Sequence, residues 1–165
     1  MKYSLIDNAI QLRHAAKYFK RFISQARQSY ELVVIDCNPS SSFVTKCALE
    51  SSTHVISPVK LDKFSILGVG IVNDLFDYLD LTPTHSILIN GIKRCDPMSQ
   101  LEIELRGHAK YGARVLANRL VQSTLLSADP SYTGFATDRK VAYSGILRTE
   151  INKLVDEIGQ SLGIK

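Results

Sequence analysis

Apolar positions along the chain change period several times. Between Ala9 and about Ser29, Leu12, Ala15, Ala16, Phe19, Phe22, Ile23 and Ala26 recur at helical spacing, which predicts an amphipathic helix. Arg13, Lys17, Lys20 and Arg27 fall together on an adjacent flank and read as the solvated edge of that helix. Ahead of it, Lys2 to Ile6 predicts a short strand, with Asp7 or Asn8 capping the helix. The period then breaks at Leu32-Val33-Val34-Ile35, an unbroken apolar run that ends in Asp36 and meets a turn at Pro39-Ser40. Such a run predicts a strand over 31–36, buried on both faces as in a parallel sheet.

The same alternation continues. A helix is predicted over 41–52, with Phe43, Val44, Cys47, Ala48 and Leu49 inward, then a strand over 54–59 whose Pro58 marks a strand end or bulge. Asp62 caps a helix to about Leu79, with Ile66, Leu67, Ile71, Val72, Leu75 and Phe76 inward. Gly68 and Gly70 weaken that helix and are expected to allow close packing on the sheet. A strand over 86–91, a helix from Met98 to about Tyr111 and a more exposed strand over 114–121 follow. Residues 122–145 are polar and weakly periodic, and Ile146 to Leu162 closes the chain as a helix with Leu147, Ile151, Leu154, Val155 and Ile158 inward. Strands alternating with helices imply an α/β fold, a mostly parallel sheet flanked by helices, in one domain over 1–165.

Composition narrows the function classes only slightly. Hydrophobic content of 45% and charged content of 22% over 165 residues are globular values. A net charge of +4 permits contact with a polyanion without requiring it. Cys37, Cys47 and Cys95 have neither disulfide-framework nor zinc spacing, and they suit a reducing cytoplasm. His14, His54, His85 and His108 are scattered and form no metal motif. No apolar run approaches membrane-spanning length, so the expectation is a cytoplasmic protein without a membrane partner.

Two polar residues stand where open α/β sheets bind ligands, at the carboxyl ends of predicted strands. Asp36 can organise a magnesium ion beside a nucleotide's phosphates, or it can simply cap the following turn. Asn90 offers both a donor and an acceptor to a base edge, or it is a turn residue beside Gly91.

The run YELVVIDCNPSSSFVTKCALESSTHVISPV, followed by LDKFSILGVG, resembles the central part of the ParA/MinD/Soj family of P-loop ATPases, and SILINGIKRCDP resembles that family's adenine-side strand. The likeness runs from about Tyr3 to Ile158 and is densest between Tyr30 and Gly70. It implies a P-loop NTPase-like (SIMIBI-type) fold in which Asp36 is the Walker B acidic residue and the one catalytic residue of the match, organising magnesium through water. Pro39 and Ser40 would open the switch region, and Asn90 would read adenine. It further implies ATP and magnesium as cofactors, nucleotide-dependent dimerisation, nonspecific DNA binding and a ParB-like centromere-binding partner, in plasmid or chromosome segregation. Candidate DNA contacts are Lys93, Arg94, Arg139, Lys140 and Arg148.

Two departures qualify the resemblance. Asn38 stands where the family usually has proline. No GxxxxGK[ST] loop occurs and no glycine is followed by lysine, so the chain looks like the C-terminal two-thirds of the family fold, incomplete at its N-terminus. The family hydrolyses ATP, but without a phosphate cradle ordinary turnover by this chain alone is not expected. An uncovered apolar strand at 32–35 predicts self-association. The alternatives are a non-enzymatic pseudo-ATPase that serves as a protein- or DNA-binding module, and an unrelated receiver domain with Asp36 as phosphoacceptor.

Overall fold

The computed structural model describes residues 2–37, 42–126, 134–138 and 144–164. In chain order the elements are α1 (Lys2–Ser29), α2 (Phe43–Ser51), β1 (His54–Val59), α3 (Lys63–Tyr78), β2 (Thr84–Ile92), α4 (Gln100–Gly107), β3 (Leu120–Val121) and α5 (Ser144–Leu162). Short 3-10 turns occupy Gly112–Arg114, Thr124–Leu126 and Ala136–Asp138. The sheet has the order β1-β2-β3 and is parallel throughout, with His54 opposite Thr84 and Val59 opposite Ile89. This is the expected α/β architecture, P-loop NTPase-like in plan, with β2 at its centre.

Alternation along β2 organises two cores. Ile87 and Ile89 pack with Val59, Val69 of α3 and Leu105 of α4. On the other face Leu88 meets Leu116 and Leu154 of α5. Helix α3 starts where the sequence places it, because the Asp62 carboxylate accepts the Ser65 N–H at 2.8 Å and the Ser65 hydroxyl at 2.9 Å. The Ser65 N–H, followed by the hydroxyl, holds that carboxyl below its usual range. Ser99 caps α4 in the same way, accepting the Glu102 N–H at 3.2 Å.

Several expectations are corrected. Lys2–Ile6 is the start of α1 rather than a strand, since a helix closes its own hydrogen bonds where a strand needs a neighbour. The run over 31–36 joins no ladder among the described residues, and Leu32 and Val34 are 52% and 80% exposed. Its composition favours a strand, but strand propensity does not supply a ladder partner. On α1 only Ile23 of the apolar stripe is buried, because the helix packs mainly on α2. Leu67, Ile71, Val44 and Val155 also face solvent, whereas Val69, Asn73 and Phe76 are the buried residues of α3.

Gly68 and Gly70 do not serve close packing. A Cβ at Gly68 would meet nothing within 4 Å, and one at Gly70 only the Tyr111 hydroxyl at 3.6 Å. Helix α4 is shorter than predicted. The strand expected over 114–121 shrinks to Leu120–Val121 plus a lone bridge from Val115 to Ile87. The N–H groups of Ala117 and Asn118 point to the Glu157 carboxylate at 2.5 and 2.9 Å, which removes them from any ladder.

Candidate functional site

Parallel strands bring their carboxyl ends to one side of the sheet. There β1 ends at Val59, followed by Lys60, and β2 carries Asn90 and Gly91 near its end. Gly91 adopts φ of 75°, a left-handed conformation that disfavours other residues, and the Lys60 stem lies 3.9 Å from where its Cβ would stand. Asn90, half-buried, pairs with Leu120 of β3, and the ladder slips between Asn90 and Ile92. Beyond that slip Gln122 donates its N–H to the Ile92 carbonyl at 2.8 Å. Lys93, Arg94, Gln122, Ser123 and Thr124 then line an open groove of about 290 Å³.

The candidate residues are placed unevenly. Lys93 and Arg94 share that groove, and Arg94 is paired with Glu150 of α5 at 3.4 Å. Arg148 is engaged elsewhere: it donates to the Thr137 carbonyl at 3.1 and 2.7 Å and meets Asp138 at 3.4 Å. Asp36 is exposed on the segment after α1, outside the sheet. Pro39, Ser40, Arg139 and Lys140 lie outside the described residues, as does Asn38. Lys60 was missed by sequence reasoning, although its position directly after a predicted strand was a usable signal.

Behind this edge lies a buried polar layer. Glu102 of α4 is 0% exposed and accepts from Arg106 at 2.9 Å and from Arg119 at 3.1 Å. His85 of β2 is buried beside Ser57, at 2.9 Å, and against the edge of Phe76. Burial, with the Arg114 guanidinium as a smaller cause, pushes its imidazole down to about 4. Arg114 itself donates to buried Asn73 at 2.5 Å. Glu102, Arg106 and Arg119 are occupied with one another and tie α4 to the segment that leads into β3, whereas the buried His85 Nδ1 has no hydrogen-bond partner among the described residues.

The described residues do not form a triphosphate cradle. The N-terminus of α3, which follows β1 at the sheet edge, is occupied by the Asp62 carboxylate, a charge that repels phosphate. Among the described residues no three His, Cys, Asp or Glu side chains are gathered as a metal site.

The parallel sheet flanked by helices is an α/β fold of the P-loop NTPase-like kind. A family model described as an AAA domain matches residues 2–89, more than half of the chain. The chain belongs to that family, of the ParA/MinD type of P-loop ATPases. It is similar to the sporulation initiation inhibitor protein Soj of Bacillus subtilis (strain 168), with 26% identity over 120 residues, covering 68% of this chain and 46% of that protein. It is also similar to the chromosome-partitioning ATPase Soj of Treponema pallidum (strain Nichols), with 22% identity over 119 residues, 70% of this chain and 47% of the relative. An uncharacterized protein of Pseudomonas putida is 25% identical over 114 residues, 67% of this chain and 43% of its own length. The chain thus spans about half the length of the curated relatives it matches. No solved structure matches. The family is nucleotide-binding, and among the described residues no helix is long and apolar enough to cross a membrane.

Proposed function

We propose that the chain, read as one ParA-like α/β domain over 1–165, acts in plasmid or chromosome segregation in the cytoplasm. The observation that carries this reading is the family match over 2–89, which spans the aspartate-bearing run, all of β1 and the first part of β2. In it Asp36 marks the magnesium side of the nucleotide site, Pro39 and Ser40 the switch, and Asn90 the adenine side. Lys93 and Arg94, with Arg139, Lys140 and Arg148, supply nonspecific DNA contacts. Dimerisation and a ParB-like partner follow from the same reading.

A second reading is favoured by one observation: the helix N-terminus beside β1 is capped by the Asp62 carboxylate, whose charge repels phosphate. In it the chain is a pseudo-ATPase that keeps the sheet and helices as a binding module. Titration with a fluorescent ATP analogue, with and without magnesium, separates the two. Tight magnesium-dependent binding that weakens in Asn90→Ala supports the nucleotide site. Absence of binding at millimolar nucleotide selects the binding module.

A further inference from the structure

The positive charge of this protein is not spread over its surface. Between Asn8 and Tyr30 the sequence holds Arg13, Lys17, Lys20, Arg21 and Arg27 and not one carboxylate, against a net charge of +4 for the whole chain. All of the excess therefore resides on α1. Arg13, Lys17, Lys20 and Arg27 follow steps of four, three and seven residues, which keeps them on one face over about 21 Å of helix. All five cations are exposed. Among the described residues no ion pair involves any of them. A merely solvated helix edge is ordinarily interspersed with acidic residues.

This face is also concave. Lys17, Lys20, Arg21 and Arg27 form one wall of a groove of about 500 Å³ whose opposite wall is Glu50 to Thr53, the end of α2 and the approach to β1. The Arg27 guanidinium donates to the Ser51 carbonyl at 2.5 Å and ties the two walls together. The single carboxylate in the groove, Glu50, is already 3.7 Å from Lys46. We propose that this groove binds the phosphodiester backbone of a nucleic acid, at a site separate from Lys93 and Arg94 and without need of a bound nucleotide. A row of cations facing hydroxyl and backbone groups across a channel suits a chain of phosphates.

The test uses the full chain and a labelled random-sequence 30-base-pair duplex, read by fluorescence anisotropy from 50 to 200 mM salt without nucleotide. With about four phosphates neutralised, affinity is expected to fall by about 100-fold over that range. The Lys17→Gln/Lys20→Gln/Arg21→Gln variant is expected to lose more than tenfold in affinity at 50 mM salt and most of the salt slope. Lys17→Arg/Lys20→Arg, which keeps the charge, is expected to bind like the parent chain. Should the triple variant fail to fold by circular dichroism, Lys20→Gln alone is expected to lower the logarithmic salt slope by about 0.9. Unchanged binding by a folded triple variant, or no binding by the parent chain, overturns the proposal. So does binding only to vesicles of mixed phosphatidylserine and phosphatidylcholine, which would assign the cations to lipid. Lys93→Gln/Arg94→Gln is measured alongside: loss there alone supports the sheet-edge contacts and removes the α1 groove, and loss in the triple variant alone does the reverse.

Discussion

Arg119, just ahead of β3, donates to the Glu102 carboxylate of α4 at 3.1 Å, and it does so at a site where Glu102 has no contact with solvent. Arg106 supplies a second donor at 2.9 Å from the same helix. One buried carboxylate thus joins α4 to the segment that leads into the last strand. Removing it in Glu102→Ala takes the shared carboxylate from two guanidinium groups, which keep only backbone acceptors such as the Leu116 and Asp96 carbonyls. Loss of one partner of a fully buried pair costs about 3–5 kcal/mol, but both arginines are partly exposed and can recover water. A loss of about 2 kcal/mol is expected, measured by urea denaturation, with Glu102→Gln recovering part of it.

His85 provides a pH dependence. Its folded imidazole sits at about 4, below the ordinary value near 6.5, so the unfolded chain takes up the proton first as pH falls. The contribution is complete above about pH 6.5 and disappears progressively between 6.5 and 4. Denaturation midpoints measured across that window are expected to fall by an amount on the order of 2 kcal/mol. His85→Gln is expected to flatten the profile there, and a profile unchanged by that substitution would remove His85 as its source.

Two glycines are expected to respond in opposite directions. A Cβ at Gly112 would collide with the Arg106 carbonyl oxygen, a backbone atom that cannot turn aside. Gly112→Ala is therefore expected to destabilise by about 2 kcal/mol or more. Gly68 lies inside α3 with open space around it, and Gly68→Ala is expected to stabilise by about 0.5–1 kcal/mol through helix propensity alone. Thermal melts of the two variants give the comparison directly.

Self-association is the expected consequence of the exposed run at Leu32 and Val34. Light scattering coupled to gel filtration is expected to show species larger than 18.4 kDa. Leu32→Asp/Val34→Asp is expected to shift them toward the monomer. A parent chain that elutes only as a monomer at high micromolar concentration would count against that role for the run.

What the sequence made legible is what local chemistry decides. Asp62 and the apolar period after it located α3, and two β-branched runs located β1 and β2. Leu32 to Ile35 was misread because strand propensity does not name a ladder partner. The stretch around Asn118 was misread because Glu157, remote in sequence, captures its N–H groups, with a third bond from the Asn118 side chain at 2.8 Å. Burial raises the Glu157 carboxyl, but the Asn118 and Ala117 N–H donors outweigh it and hold it below its usual range. No pattern in residues 114–121 announces that capture. The sheet-edge candidates fared similarly: Asn90 could be located from its strand, while the engagement of Arg148 with Thr137 depended on tertiary placement.

Helix α1 runs for 28 residues, about 42 Å, and rests mainly on α2. Heat is therefore expected to detach this arm before the sheet gives way, so the chain melts in two stages rather than one. The helix that rests outside the sheet is also the one that carries the charge. Anything that seats between α1 and the end of α2 fastens the arm down, and the first of the two melting steps moves upward with ligand concentration.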